Sequence, residues 1–411
     1  MSRFSKIRRP RSWVLAILAT LILGGVVFGY RQASANRPFF ALGLPSLEED
    51  EVFQNRPSSS ESGEEERLAP PNLALPPVTP QVPTPDTVTE NAGGEPLHVS
   101  HWVYPGPPAC NTYYELQVLG QVDELKPEFA TVSLDGSIEI LTENEAGCNA
   151  LSRTNVEYYR EISNTQFITV SGSGQNFSNL VTDSAKRTEA IGILSDLVRQ
   201  TEMTGIELDF EGYSGWSEVD YAGYLSFLQD LGDTLRADEK LLMIDAPAIY
   251  NDGIQSVFEF RYGDIAALPV DYIAIMAYDY QYDFGGGAPV TEDDFLRDTL
   301  TRAKAEIPDW EEKLVIGLPT YGYTAEEGAY QIRILTREQV FANLSEAEIA
   351  RAGRIPNSEE LIYRKDGQVY VWQDQASIQH KIDLVQAQGI NRIAIWHLGG
   401  NPLVSTGEAA D

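Results

Sequence analysis

From residue 98 onward, short apolar runs alternate with stretches of helical periodicity. This alternation is typical of βαβ units and not of an all-β sandwich. Eight apolar runs predict the parallel strands of a (β/α)8 or TIM barrel, for which about 250 residues suffice. The predicted strands are residues 101–104, 129–132, 166–171, 205–210, 241–246, 272–277, 314–318 and 392–396.

Helical patterns separate several of these runs, at residues 185–200, 221–235, 292–306 and 377–388. The segment 323–371 is longer than one helix needs, and within it residues 363–370 predict a hairpin with an Asp-Gly turn. We therefore expect a small lobe inserted between strands 7 and 8. The barrel domain is expected to span residues 98–402, followed by a C-terminal tail of residues 403–411.

The N-terminus has the pattern of an export signal. Five basic residues lie within residues 1–12, and an uncharged apolar run covers residues 13–30. That run is just long enough to span a bilayer, while Ala33-Ser34-Ala35 supplies a small-residue cleavage pattern. Residues 1–35 are thus predicted to anchor the chain in the cytoplasmic membrane through an N-terminal helix, or to be removed by cleavage after Ala35. In both cases the basic flank places the following residues outside the cytoplasm.

Residues 36–97 are rich in Pro, Ser, Glu and Thr, which predicts a disordered linker. An extended Pro-rich chain of this length could reach at most roughly 190 Å from a membrane. The formal net charge of -31 argues against a nucleic-acid partner, because phosphate binding depends on Lys and Arg.

The chain has two cysteines, Cys110 and Cys148. In an exported chain they are able to form a disulfide, but spacing alone does not show whether the sulfurs meet. The histidines and cysteines have no metal-ligand spacing, so no metal site is predicted.

The sharpest chemical signal is the segment 204–211, Thr-Gly-Ile-Glu-Leu-Asp-Phe-Glu. On a strand this alternation places Glu207, Asp209 and Glu211 on one face, about 6.6 Å apart along the strand. A solvated edge strand is the alternative explanation of the pattern. An aromatic loop at residues 213–216 follows, however, as expected at the C-terminal end of a barrel strand, where active sites lie. At least one carboxyl should be protonated near neutral pH, and Glu211, nearest the mouth, is the predicted acid.

This segment resembles the catalytic strand of glycoside hydrolase family 18, which usually reads Asp-Gly-x-Asp-x-Asp-x-Glu. The resemblance implies that Glu211 is the general acid/base and that Asp209 orients the substrate's acetamido group. Thr204 and Glu207 stand where the family has Asp. These two departures change residues that are expected to relay protons, whereas the expected proton donor, Glu211, is the residue that the family has.

Three further segments, in family order, resemble the motifs of strands 6, 7 and 8: residues 276–279, 317–322 and 395–400. The resemblance implies that Tyr278 hydrogen-bonds the acetamido carbonyl and that Trp396 forms the floor of the sugar site. Glu207 and Asp279 are expected to support the catalytic residues. The other aromatic residues expected to bind substrate are Trp102, Tyr104, Trp216 and Tyr321.

The loop 279–290 and the stretch 371–374 are similar to the spore-germination branch of the family, whose members act on bacterial peptidoglycan. The resemblance implies a retaining, substrate-assisted hydrolysis of a β-1,4-linked glycan that contains N-acetylglucosamine, without metal or organic cofactor. The glycan is peptidoglycan or a chitin-like polymer. A noncatalytic, lectin-like barrel and a structural protein that anchors to the wall remain as alternatives.

Overall fold

Eight parallel strands close into a barrel in the computed structural model, which describes residues 86–87, 96–107 and 109–405. Each strand pairs with the next, and the first strand pairs with the eighth. The predicted TIM barrel is therefore confirmed. The strands are β1 His98–Val103, β2 Val122–Val132, β3 Ser163–Ser173, β4 Gly205–Glu211, β5 Leu241–Pro247, β6 Tyr272–Met276, β7 Leu314–Pro319 and β8 Arg392–Trp396.

The strands are buried on both faces, which explains why the sequence shows them as apolar runs. Outside the barrel, the apolar side chains of β4 pack against surrounding helices; Phe210, for example, meets the rings of Phe177 and Phe227. A smaller apolar cluster fills the barrel interior. It consists of Trp102, Phe167, Met243, Ala274, Val315 and Ala394.

The four predicted helices are present, with ends set by their capping residues. Helix Glu218–Ala237 starts earlier than predicted because Ser217 and Asp220 form a capping box, in which the Ser217 hydroxyl accepts the Asp220 N–H at 3.2 Å. The α-helices are Thr112–Leu119, Glu143–Ala146, Arg153–Ile162, Gly174–Val181, Ser184–Thr201, Glu218–Ala237, Asp252–Gln255, Tyr262–Ala266, Gln281–Phe284, Asp293–Glu306, Trp310–Lys313, Arg337–Asn343, Glu346–Ile349 and Gln375–Gln386, with 3-10 turns at Ala109–Asn111 and Tyr213–Gly215.

The chain between β7 and β8 forms the inserted lobe, a five-stranded antiparallel sheet. The predicted hairpin is present, and Asp366 and Gly367 at its tip both have positive φ (52° and 79°), as a two-residue Asp-Gly hairpin turn requires. In spatial order the strands are Arg333–Leu335, Gly322–Glu326, Gln368–Trp372, Leu361–Lys365 and Gly353–Arg354.

One buried carboxylate fastens the lobe to the barrel. Glu360 accepts the backbone N–H groups of Val290 (2.7 Å) and Thr291 (2.9 Å), in the loop after β6. Its Oε1 also pairs with the Lys381 ammonium at 3.1 Å, on helix Gln375–Gln386. Because Glu360 and Lys381 are both buried, the lobe and the loop after β6 hold one another in place.

The edges of the domain show three features that the sequence did not settle. Strand Ile138–Ile140 adds antiparallel to β2. Residues Asp86–Thr87, predicted as linker, pair in parallel with Val404–Ser405, predicted as tail. Val404 is itself held by the barrel, since it is fully buried and its carbonyl lies 2.9 Å from the His101 ring nitrogen. Cys110 and Cys148 form a disulfide that joins positions 38 residues apart.

The described residues contain no helix that is long and apolar enough to cross a membrane. The span predicted at residues 13–30, the cleavage pattern at Ala33-Ser34-Ala35 and most of the predicted linker lie outside the described residues.

Candidate active site

The inner face of β4 carries a line of carboxyl groups that runs from the barrel interior to its mouth. Glu207 is fully buried, Asp209 is partly buried and Glu211 is exposed. Gly205 at the start of the strand permits this placement, because a Cβ there would lie 2.3 Å from the Leu241 carbonyl oxygen on β5. The three predicted carboxyls therefore lie at successive depths in one site.

Glu211 stands at the mouth with its carboxyl in reach of solvent. The protein that surrounds it on the barrel side still limits its hydration. This desolvation, together with the nearby carboxyls of Asp279 and Glu128, raises the pKa of Glu211 to about 7. Glu211 is thus able both to give and to take a proton near neutral pH.

Asp209 lies one step deeper, and its Oδ1 has no hydrogen-bond partner among the described residues. Burial raises the pKa of Asp209 well above its ordinary value, and the carboxyls of Glu211, Glu128 and Glu207 raise it further. The Lys126 ammonium acts in the opposite direction but does not cancel the shift. Asp209 therefore holds its proton more tightly than an ordinary aspartate does.

Glu207, the deepest of the three, has both oxygens occupied. Its Oε1 lies 2.7 Å from the Lys126 ammonium, and its Oε2 accepts hydrogen bonds from the Trp102 indole (2.9 Å) and the Thr169 hydroxyl (2.5 Å). These partners come from β1, β2 and β3. Glu207 is thereby held in one position across half of the barrel.

Asp245 on β5 is a further buried acid in this layer. No N–H or hydroxyl group of the described residues donates to its carboxyl oxygens, but its carboxyl lies within hydrogen-bond reach of Glu207. Burial raises the pKa of Asp245 well above its ordinary value, and the charges of Glu207 and Asp209 and the hydrogen bond with Glu207 add to the effect. Asp245 therefore holds its proton more tightly than an ordinary aspartate does.

Tyr278 and Asp279 follow β6, two strands along the barrel from β4. Gly317 on β7 leaves room for the Tyr278 ring, since a Cβ there would lie 3.1 Å from the ring. Asp279 has a positive φ of 72° and its Oδ1 accepts hydrogen bonds from the Tyr321 hydroxyl and, at 3.0 Å, from the Gln281 amide. Asp279 is exposed, but the protein around its carboxyl limits hydration and raises its pKa, while these two hydrogen bonds oppose the shift.

Trp396, the last residue of β8, is partly exposed and packs on the apolar cluster of the barrel interior. Its ring meets the Tyr321 ring edge-on at 5.0 Å and lies 6.2 Å from the Tyr278 ring. The peptide bond between Trp396 and His397 is cis. The partly exposed ring of Trp396 gives the site an aromatic floor of the kind that stacks on the apolar face of a sugar.

The predicted substrate-binding aromatic residues separate into two groups. Trp396 keeps an open face, and Tyr104 is 37% exposed, with its ring 6.0 Å from that of His397. Tyr321 is only 1% exposed and supports Asp279 from behind. The predicted sugar contact of Tyr321 is therefore corrected to a supporting role.

Two tryptophans are corrected in the same way. Trp102 is 5% exposed, and its indole N–H bonds Glu207 inside the barrel. Trp216 is 7% exposed because the loop after β4 folds back outward, where its ring stacks on Phe177 at 4.0 Å. Neither tryptophan has an open ring face for a sugar.

The sequence analysis missed three ionisable residues of the site: Lys126, Glu128 and Asp245. Glu128 accepts a hydrogen bond from the Ser171 hydroxyl at 2.6 Å and raises the pKa values of both Asp209 and Glu211. The period-two alternation of Glu124, Lys126 and Glu128 on β2 was the available signal. Residues 96–107 and 109–405 contain no group of three or more His, Cys, Asp or Glu side chains that could hold a metal ion.

The sequence profile described as "Glycosyl hydrolases family 18" matches residues 106–401, more than half of the chain. The chain belongs to this family. The resemblance seen in the catalytic strand is therefore confirmed at the level of the family.

Two curated relatives illustrate where in family 18 the chain lies. A Bacillus subtilis (strain 168) protein named as a sporulation-specific glycosylase, YdhD, is 29% identical over 225 residues, or 52% of this chain and 51% of that protein. A Bacillus anthracis protein named "Cortical fragment-lytic enzyme" is 22% identical over 284 residues, or 64% of this chain and 62% of that protein. The chain thus spans about half to three-fifths of the length of these relatives.

Solved structures of family 18 show the same fold. A chitinase from Chromobacterium violaceum superposes with a TM-score of 0.62 at 18% identity, over 74% of this chain and 95% of that chain. The Bacillus cereus spore cortex-lytic enzyme SleL superposes with a TM-score of 0.61 at 17% identity, over 74% of this chain and 71% of that chain. At this level of identity the similarity establishes the architecture alone.

Proposed function

We propose that this family 18 chain is an extracytoplasmic glycosidase that hydrolyses the β-1,4-linked, N-acetylglucosamine-containing glycan of peptidoglycan with retention of configuration. One observation carries the proposal. Glu211 stands at the barrel mouth with a pKa of about 7, directly above Asp209 on the same strand, whose pKa is also raised. A proton donor of this kind is what cleavage of a glycosidic bond requires.

In the proposed reaction Glu211 gives its proton to the glycosidic oxygen as the bond to the anomeric carbon breaks. The carbonyl oxygen of the substrate's own acetamido group forms the new bond to that carbon, and an oxazolinium ion results. Glu211, now ionised, then takes a proton from a water molecule whose oxygen attacks the same carbon, and the bond from that carbon to the acetamido oxygen breaks. Two displacements at one carbon leave its configuration unchanged.

Asp209 supports both halves of this reaction. Its proton can be donated in a hydrogen bond to Glu211 once Glu211 has become a carboxylate. Its other oxygen can accept the acetamido N–H, which carries more positive charge in the oxazolinium ion than in the substrate. Asp209 therefore stabilises the state in which charge has developed, as electrostatic catalysis requires.

Trp396 and Tyr278 position the sugar for this reaction. In this proposal the partly exposed Trp396 ring supplies an apolar floor, and the Tyr278 hydroxyl donates a hydrogen bond to the acetamido carbonyl. Asp279, next to Tyr278, is an acceptor fixed by Tyr321 and Gln281. Tyr104 offers an exposed ring for a neighbouring sugar unit.

Peptidoglycan is favoured over chitin as the substrate by the names of the curated relatives, which refer to sporulation and to cortical fragments. A location outside the cytoplasm is favoured by the basic residues before position 12 and the apolar run at 13–30. In intact cells the barrel should be accessible to added protease, and the full-length chain should sediment with membranes. A mature N-terminus at Asn36 would show release by cleavage instead.

The full-length chain should be incubated separately with purified peptidoglycan glycan and with N-acetylglucosamine oligomers, and the products identified by mass. Proton NMR of the fresh reducing end then reads the anomer. We expect retention, and initial release of the inverted anomer would contradict the substrate-assisted mechanism. Glu211→Gln should bind but lose about 10²- to 10⁴-fold in rate. Wild-type binding without turnover on either glycan would support the lectin-like alternative.

A further inference from the structure

A polar cluster lies inside the barrel, below the proposed catalytic residues, and brings together side chains from four consecutive strands. Trp102 on β1, Lys126 on β2 and Thr169 on β3 all donate to Glu207 on β4, at distances of 2.5–2.9 Å. All four residues are buried, and Lys126 and Glu207 are 0% exposed. None of these groups faces the mouth, so the cluster itself is not a sugar-binding surface.

Lys126 is charged in this position. Burial alone would lower the pKa of its ammonium, but the carboxyls of Glu207, Asp245 and Glu124 outweigh burial and raise that pKa. The Trp102 ring adds to the stabilisation, since the ammonium nitrogen lies 4.2 Å from the ring centre. Lys126 and Glu207 therefore form a fully desolvated ion pair, in which the loss of either charge would leave the other buried alone.

The acids next to this pair are in the opposite situation. Both oxygens of Glu207 are occupied by three donors, whereas Asp209 Oδ1 has no partner among the described residues and Asp245, which shares a hydrogen bond with Glu207, accepts none from a described N–H or hydroxyl group. A proton placed on Glu207 would weaken its bond to Lys126. A proton placed on Asp209 or Asp245 disturbs no ion pair. The geometry therefore favours a proton on Asp209 or Asp245 over one on Glu207.

We propose that Lys126 is a positioning residue of the active site, which holds Glu207 as a fixed carboxylate and thereby confines the exchangeable proton to Asp209 and Glu211, next to the substrate. The kinetic part of this inference rests on the proposed glycosidase function, whereas the pattern of protonation does not. In this site Glu207 receives no proton from Asp209. The proton of Asp209 is instead available at the mouth whenever Glu211 is ionised.

The ionisation of Asp209 depends on every charged group around it, and Lys126 is the cation that opposes the rise of its pKa. Neutralising Lys126 should therefore raise the pKa of the Asp209–Glu211 pair, and neutralising Glu207 while Lys126 remains should lower it. The ionisable groups that face Asp209 are Lys126 and Glu128 from β2, Glu207 and Glu211 from β4, Asp245 from β5, Tyr213 and Tyr224 from the segment after β4, and Tyr278 after β6.

The test uses the full-length chain with Lys126→Met, with Glu207→Gln and with both substitutions together. The alkaline limb of the kcat profile should move to higher pH in Lys126→Met and to lower pH in Glu207→Gln, and it should return close to wild type in the double variant. On that limb a displacement of one full pH unit changes kcat about tenfold. KM should change little, because the cluster lies beneath the sugar.

Lys381→Met is the matched control, since it removes another fully buried ammonium, one that lies between the lobe and helix Gln375–Gln386. It should destabilise the protein without moving the limb. If Lys126→Met does not fold, Glu207→Gln and the double variant still carry the comparison. The proposal would be overturned if the alkaline limb of the kcat profile stayed at the wild-type pH in folded Glu207→Gln and in the folded double variant. It would also be overturned if the limb moved in the same direction in both single variants.

A second measurement separates this inference from the proposed function. Infrared titration of the protonated carboxyl band, assigned to Asp209 through Asp209→Asn, reads protonation without any turnover. The band should titrate at higher pH in Lys126→Met and at lower pH in Glu207→Gln. If the wild type hydrolyses no glycan but the band moves in this way, the proposed function fails and the role of Lys126 stands. An active enzyme whose band is the same in all variants refutes the role of Lys126 alone.

Discussion

Hydrolysis by this chain should lose rate as the pH rises above 7, and replacing Glu128 with glutamine should move that loss to lower pH. The reason is that Glu211 must be protonated to act as the acid. Its pKa is raised first by desolvation and then by the carboxyls of Asp279 and Glu128. Glutamine at position 128 removes one of these two charges and keeps an oxygen that can accept the Ser171 hydroxyl, now bonded at 2.6 Å.

The size of the effect follows from the protonated fraction of Glu211. With a pKa of about 7, the fraction is about one half at pH 7 and about one eleventh at pH 8, so kcat/KM should fall about fivefold over that interval. A carboxyl at the ordinary pKa of 4.5 would be protonated in only about one molecule in 300 at pH 7. The raised pKa thus supplies a usable acid at neutral pH.

The assay is kcat/KM on a soluble glycan fragment from pH 5 to pH 9, at constant ionic strength. Glu139→Gln is the matched control, since it makes the same charge change at the exposed central position of strand Ile138–Ile140, beside β2 and outside the barrel. Its profile should follow the wild type. A Glu128→Gln profile that also follows the wild type, or a wild-type limb that lies above pH 9, would show that Glu211 is not tuned by these neighbours.

Three further outcomes are expected. Trp396→Ala should weaken the binding of an N-acetylglucosamine oligomer as well as turnover, and calorimetry with wild-type affinity would make Trp396 a packing residue only. Asp245→Asn should raise the melting temperature most at high pH. A buried acid whose pKa is raised in the folded state stabilises the protein below its unfolded pKa and loses that contribution as the pH rises. The neutral amide should therefore flatten the dependence of the melting temperature on pH above about pH 4. Lys381→Met should lower the free energy of unfolding by about 3 to 5 kcal/mol, because it leaves Glu360 buried without its cation. Lys365→Met, at a pair on the surface, should change it much less, and denaturant titration compares the two.

The barrel could be predicted because each parallel strand is covered on both faces and therefore appears as an apolar run. The hairpin could be predicted because Asp366-Gly367 has the backbone freedom that its turn demands. The acids of β4 could be located because apolar and acidic residues alternate there with a period of two. In each case the signal is local, so a single segment of sequence contains it.

The partners of those acids could not be predicted in the same way, because they come from other strands. β2 was predicted only over residues 129–132, since Lys126-Pro127-Glu128 does not have the composition of a buried strand. Its true start at Val122 places Lys126 and Glu128 on the inner face of the barrel. The Trp216 ring packs on Phe177 and not in the barrel mouth because the loop that carries it turns back on the barrel. The sequence contains no pattern that specifies this turn.

The two departures from the family's catalytic strand are explained by their places in the barrel. Thr204 precedes β4 and its hydroxyl accepts the Gln166 N–H at 3.1 Å, so it joins β4 to β3 at the end away from the mouth. At position 207, an aspartate would withdraw the carboxylate by one methylene, about 1.5 Å, from donors fixed on three other strands of a closed barrel. Glutamate is long enough to reach all of them, and Lys126 supplies the charge that makes its burial stable. The longer acid at position 207 and the buried Lys126 are therefore complementary. This departure from the family lies in the layer beneath the site, whereas Asp209 and Glu211, nearer the mouth, are the residues that the family has.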